Sequence, residues 1–271
     1  MPFGSPVPAG SGWPGDPAGA DTPVAAGPDD VRRSAAAAAD LAALDARVSV
    51  CRACPRLVAW REQVAAEKRR AYADQAYWGR PVPSWGDPSA GLLVVGLAPA
   101  AHGGNRTGRI FTGDRSGDWI FAALHRAGLA RLATSTAAGD EQLLTGVRIA
   151  AGVHCAPPGN RPDPAERDTC AGWLDREVQL LLPGLHAVLA LGAFAWQATL
   201  SCARRLGWWV PPGAGRFGHG LEVELSPPGR PSILLIGSYH VSQQNTFTGR
   251  LTIEMLDQVV RRAANAARVG G

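Results

Sequence analysis

"LLVVGLAPAAHGGNRTGRIFTGD", residues 92–114, passes from four apolar residues into a run with little that could build a core. Leu92, Leu93, Val94 and Val95 have the length and branching of a buried strand, and the glycines that follow end it. The small residues after it let a ligand approach the main chain, so the backbone amides of Leu97 and Ala98 are candidate donors to a bound group. The Gly-Lys-Ser/Thr ending of a phosphate-binding P-loop is missing, which removes the main support for nucleotide hydrolysis. Phe111, set among glycines, is either a loop anchor or a ring against which a planar base stacks. Asp114 precedes a helical pattern, where an aspartate caps the helix or offers a carboxylate to chemistry.

Outward from this stretch the chain alternates short apolar runs with amphipathic ones. Strands are expected at 91–97, 147–153, 186–191, 221–225 and 232–237, and helices at 117–128, 164–182, 193–206 and 251–267. Such alternation predicts an α/β fold, a parallel sheet covered on both faces. Upstream, the spacing predicts one helix from Asp29 or Asp30 to near Val50 and another from Pro55 to about Tyr72. Ligands of such sheets bind beyond the carboxyl ends of the strands. Three polar loops fall on that edge: 98–116, 154–163 and 238–250.

The second loop, "HCAPPGNRPDP", carries Asn160, whose amide offers a donor and an acceptor to the edge of a base, although asparagine is also a common turn residue. The third, "SYHVSQQNTFTGRL", places His240 directly after a strand. It could donate to an anionic leaving group or satisfy a backbone carbonyl. Arg106, Arg109 and Arg250 flank these motifs as candidate phosphate contacts or as solvated surface. A stacking ring, an edge-reading amide, a carboxylate and a histidine are together what cleavage of a base–sugar bond requires.

Cys51 and Cys54 form a C-x2-C, and Cys155 and Cys170 form a second pair. Four thiolates suit a structural zinc or an iron–sulfur cluster, and spacing does not choose between them; buried free thiols are the plainer alternative. Cys202, inside an apolar helix, reads as a core thiol.

The 271 residues are enough for one large domain. Residues 1–28, rich in Pro, Gly and Ala, predict a flexible tail, leaving a single domain over 29–271. The net charge is +4, and Lys68 is the one lysine among 27 basic side chains. Arginine suits phosphate, but an excess this small does not by itself establish a nucleic-acid partner. No run reaches the ~18–20 apolar residues of a membrane helix, and the start lacks a signal-peptide pattern. A cytoplasmic protein with no membrane partner is the expectation.

The three loop motifs and the four cysteines resemble those of the family 5 (type B) uracil-DNA glycosylases of the uracil-DNA glycosylase superfamily, from about Cys51 to the C-terminus. The resemblance implies a three-layer α/β/α sandwich around a four-stranded, mainly parallel sheet, and a [4Fe-4S] cluster on Cys51, Cys54, Cys155 and Cys170. It implies that Phe111 stacks on the base, Asn160 reads its pairing edge, His240 binds the O2 side of uracil, and Asp114 positions or activates water. It also implies double-stranded DNA containing uracil, hypoxanthine, xanthine and some etheno adducts as substrate, with an abasic site as product; a monomer is the expectation. With no lysine in the motifs to form a Schiff base, strand cutting is not expected. Where other branches place an acid in the first motif, this chain has Leu97-Ala98-Pro99-Ala100. The rival expectation is a tetra-cysteine, metal-stabilised module that binds nucleic acid without catalysis.

Overall fold

The structure, a computed structural model, describes residues 3–268. Its strands are β1 (Trp85–Gly86), β2 (Leu92–Gly96), β3 (Val147–Ala151), β4 (Ala187–Leu191), β5 (Glu222–Leu225) and β6 (Ile233–Ser238). Among the described residues they form one sheet in the order β1-β3-β2-β4-β6-β5. The central four are parallel, as the alternation predicts, and β1 and β5 are added antiparallel at the edges. The sheet therefore has six strands rather than four. The additional edges are short, and a two-residue strand such as β1 has no periodicity to read.

The helices are α1 (Pro28–Ala36), α2 (Leu41–Ser49), α3 (Pro55–Glu67), α4 (Gly104–Thr107), α5 (Arg115–Arg126), α6 (Pro164–Leu181), α7 (Ala193–Arg205), α8 (Gln243–Phe247) and α9 (Ile253–Arg268). Side chains alternate across a strand, so β2 feeds two cores. Leu93 and Val95 pack with Trp173, Trp196 and Leu200 of α6 and α7. Leu92 and Val94 pack with Ile120, Phe121, Val259 and Val260 of α5 and α9. Every position of β2, β3 and β4 is buried, which makes the three-layer sandwich.

Two upstream expectations change. The single helix over 29–50 is broken at residues 37–40: the alanine run conceals the stop, and Asp40 caps the second half by accepting from the Ala43 N–H at 2.8 Å. Among the described residues, the segment before α1 forms no regular element, yet it packs on the body where its composition predicts a flexible tail. Val7, Ala18 and Ala25 are buried, Trp13 donates to the Thr107 carbonyl at 3.2 Å, and Asp16 pairs with the buried Arg80. A few apolar anchors spaced along a Pro/Gly-rich strap hold it on the body, where a compositional average does not register them.

Candidate active site

The carboxyl ends of β2 and β6 deliver the two aromatic groups of the site. The loop after β2 turns back through α4 and reaches Phe111, which is buried and adopts a positive φ of 53°. A non-glycine residue held in the left-handed region marks an imposed constraint. Two glycines make room for it: a methyl group at Gly96 would stand 2.8 Å from Phe111 Cζ, and one at Gly117 would overlap the Phe111 carbonyl. His240 leaves β6 two residues past its last position, half-buried, with its carbonyl accepting from Asn245 Nδ2 at 2.8 Å. Behind it lies Gly192 (φ 92°), where a methyl would stand 3.2 Å from His240 Cβ. The Phe111 and His240 rings meet with centroids 6.3 Å apart. Two loops separated by more than a hundred residues thus bring their rings together at one edge of the sheet.

Burial lowers the His240 pKa to about 4, so the ring is neutral near pH 7 and presents one N–H. Leu97 spends its carbonyl on the Val153 N–H at 3.0 Å, while the Ala98 N–H has no partner among the described residues. That amide is free to donate.

Asp114 does cap a helix: it precedes α5 and accepts from the Gly117 N–H at 2.9 Å. Its other oxygen lies against Gly103, where a side chain could not fit. Burial pushes the carboxyl up, the Gly117 and Ser116 amides pull it part of the way back, Asp118 raises it and Arg106 lowers it. Cap and functional carboxylate are therefore compatible readings of one residue. Asn160 stands exposed at φ 56° on the loop after β3. Its side chain has no hydrogen-bond partner, and no contact ties it to Phe111 or His240 among the described residues.

The three arginines separate. Arg106 is buried and fully engaged: it donates to the His102 carbonyl at 2.9 Å, Gln75 Oε1 at 2.6 Å and the Gly113 carbonyl at 2.8 Å, and lies 4.0 Å over Tyr72. Arg109 donates to Thr112 Oγ1 at 3.1 Å, pairs with Asp140 and covers Trp85. Both brace the first loop and are corrected from phosphate contacts to structural groups. Arg250 is exposed, 4.6 Å over Tyr239, and keeps its donors for a partner.

On the α6 side of the sheet, Cys51, Cys54, Cys155 and Cys170 line one small pocket with Arg61, His154 and Trp173. No three His, Cys, Asp or Glu among the described residues form a ready-made metal site. The thiols nevertheless feel one another: burial first, then their mutual charge, raises Cys51 to about 11 and Cys54 to about 12. The Arg61 guanidinium is 1% exposed, donates to Cys155 Sγ at 2.9 Å, and leaves its Nε without a partner. Its nearest carboxylate is Glu62 at 3.8 Å. A buried cation that lines the same pocket as four sulfurs and bonds one of them fits an anionic group shared by them. Asn105 Nδ2 donates to the Arg61 carbonyl at 3.1 Å, which joins this pocket to the first loop. Cys202 is buried in α7, as expected of a core thiol.

Sequence reasoning missed Gly96, Gly103 and Gly192, which stand behind Phe111, Asp114 and His240, and it missed Arg61. A glycine at a strand end is a visible signal, but its partner is fixed only by the fold.

The family model described as "Uracil DNA glycosylase superfamily" matches residues 83–264. A type-5 uracil-DNA glycosylase of Mycobacterium bovis is 55% identical over 267 residues, covering 98% of this chain and 97% of that protein. Those of Mycobacterium leprae (54% identical, 83% of this chain, 95% of that protein) and Thermus thermophilus (48%, 81% and 95%) also align. With its fold, its site and these likenesses in agreement, the chain belongs to the uracil-DNA glycosylase superfamily, in its type-5 branch.

Proposed function

We propose that this chain is a monofunctional DNA repair glycosylase that takes uracil, and with it hypoxanthine and xanthine, out of double-stranded DNA and hydrolyses the N-glycosidic bond. The observation that carries this reading is the pairing of the Phe111 and His240 rings at the carboxyl edge of the sheet; the names of the similar proteins supply uracil.

Extruding a base costs a few kcal/mol and is easiest for mismatched pairs, which favours deaminated bases before any atom is read. In a slot at these rings the base stacks on Phe111. As the bond to the sugar breaks, negative charge moves onto the base and the sugar becomes oxocarbenium-like. The His240 N–H and the Ala98 amide meet that developing charge in a partly dry site, where fixed donors act most strongly. Asn160, exposed on the adjoining loop, takes the pairing edge once a base is present. Asp114 orients a water toward the sugar carbon and accepts its proton as the bond to oxygen forms; the base leaves as the anion and is protonated by solvent. The product is an abasic site.

Cys51, Cys54, Cys155 and Cys170 would hold a [4Fe-4S] cluster. When bound, it would supply cross-linking rather than a step in the reaction, because all four ligands would come from protein. The pocket joins the α2–α3 junction, the loop after β3 and α6, and through Arg61 and Asn105 it braces the first loop. The protein acts as a monomer on DNA in the cytoplasm; no helix among the described residues is long and apolar enough to cross a membrane.

The test is incubation of iron-replete protein with duplexes holding one uracil, hypoxanthine or xanthine, followed by hot alkali. A break at the lesion only after alkali is expected. Binding without any break would instead favour the non-catalytic tetra-cysteine module.

A further inference from the structure

Upstream of every motif, the strap formed by residues 3–27 runs against the first loop. Trp13 Nε1 donates to the Thr107 carbonyl at 3.2 Å, the one donor this oxygen has among the described residues. Thr107 ends α4, and the last carbonyls of a helix have no partner within it. The indole therefore supplies from outside what a helix of four residues lacks. The turn behind it is fitted to that ring: Gly108 has φ 77°, and a methyl group there would stand 3.1 Å from Trp13 Nε1 and 3.0 Å from Trp78 Cδ2. Phe3 packs edge-on against Trp13, with centroids 5.2 Å apart.

The strap is locked to the body by a charge. Arg80 is buried, lies 3.7 Å over the Trp78 ring, and has Asp16 as its one carboxylate partner among the described residues. Its Nε and Nη1 have no partner there. Lifting the strap would strip this cation of its counter-ion, which is strongly disfavoured. The anchorage continues into the first loop: Val7 N–H donates to the Trp78 carbonyl at 3.0 Å, and the Trp78 and Gly79 N–H groups donate to the Arg106 and Asn105 carbonyls, each at 2.9 Å. Within that loop the Thr107 hydroxyl lies 3.2 Å from the Gly103 and Arg109 carbonyls and 3.3 Å from that of Thr112. These residues border the two site groups that the loop carries. Gly103 lies against the Asp114 carboxylate, and Arg109 and Thr112 bracket Phe111.

We propose that the strap is part of the catalytic apparatus of this chain: by holding the Thr107 carbonyl, Trp13 sets the position of the loop that presents Phe111 and Asp114. This rests on the glycosylase reading above. Trp13 is a positioning residue that acts through Thr107, and Asp16 keeps it in place through Arg80. The strap works at the chemical step, where a small displacement of the loop is magnified in the rate, and not in the capture of DNA.

The experiment compares the parent with Trp13→Phe, which keeps a ring and removes the N–H, and Trp13→Ala, which removes both, all full-length and iron-replete. Each is measured well below its melting temperature for single-turnover excision of uracil opposite guanine, for affinity toward a duplex holding a tetrahydrofuran abasic analogue, and for backbone hydrogen exchange. Trp13→Phe is expected to lose ~5-fold in rate, the scale of one hydrogen bond, and Trp13→Ala ~10–100-fold. Affinity for the abasic duplex should stay parental, and faster exchange should be confined to peptides spanning 103–114. A parental excision rate in both variants, or in Trp13→Phe alone should Trp13→Ala not fold, overturns the proposal. So does a loss of rate matched by a loss of duplex affinity, which would put the strap on DNA, or exchange that quickens throughout the molecule, which would make it a general stabiliser. If the parent leaves the uracil duplex intact, the glycosylase reading falls, while unchanged exchange over 103–114 would still refute the bracing of the loop by Trp13.

Discussion

Asp114 is at once a helix cap and a candidate water-activating carboxylate, and two substitutions separate the roles. Asparagine caps as well as aspartate, whereas alanine does not and costs about 1 kcal/mol at such a position. With the Gly117 N–H bond lost, Asp114→Ala should melt ~2–4 °C lower. Asp114→Asn keeps that bond and removes a charge that burial disfavours. Because the folded carboxyl is raised above its ordinary 3.8, the native state binds more protons than the unfolded chain. Stability is therefore lost as pH rises from 3.8 through the raised value. The amide has no such loss. Against this stands ~0.3–1 kcal/mol of favourable interaction between a negative cap and the α5 dipole, so near neutral pH Asp114→Asn should melt within a few degrees of the parent. Both variants should lose at least ~100-fold in single-turnover excision, the low end for a positioned base, with abasic-duplex binding unchanged. The assays are calorimetric melting and quenched-flow cleavage of a uracil duplex. Parental turnover in Asp114→Asn, with Asp114→Ala impaired only in stability, would make the residue a cap and nothing more.

Gly192→Ala should displace His240, since the new methyl is 3.2 Å from its Cβ and the backbone is at φ 92°; excision should fall ~10-fold or more while uracil-duplex binding holds. The His240 ring should titrate near pH 4 by nuclear magnetic resonance. Its charged form is disfavoured by the fold, so its contribution to stability is lost as pH falls from 6.5 toward 4, and it should impose no step on excision rates near pH 6.5. Thiols raised to about 11 and 12 are protonated when no metal is bound, so cluster assembly should release protons, measurable in weakly buffered reconstitution. Cys170→Ser should lower iron content and visible absorbance and reduce the melting temperature. Retention of full iron would remove Cys170 from the ligand set.

The alternation of apolar strands and amphipathic helices was legible because β2 and β4 are buried on both faces and so read as unbroken apolar runs, and β3 is interrupted only by the ion-paired Arg148. The same pattern located the loops that carry Phe111 and His240. What escaped was set by contacts between distant segments. Arg106 and Arg109 are arginines in a polar loop, and nothing local reveals that Gln75 and Asp140, each some thirty residues away, engage their donors. The helix break before Leu41 hides in a run of good helix formers, where Asp40 is the sole marker. The N-terminal strap escaped because Val7, Trp13 and Asp16 are single anchors in a Pro/Gly-rich background. Glycines behind the slot were visible as glycines, but only the fold pairs Gly96 with Phe111 and Gly192 with His240.

The decisive measurement compares the single-turnover excision of uracil with that of 5-fluorouracil, whose ring nitrogen gives up its bond to sugar as a more stable anion. Parent and His240→Ala are run side by side on otherwise identical duplexes. If the slot stabilises the departing base as an anion, His240→Ala loses far more rate on uracil than on 5-fluorouracil. Equal losses on the two bases would contradict that account.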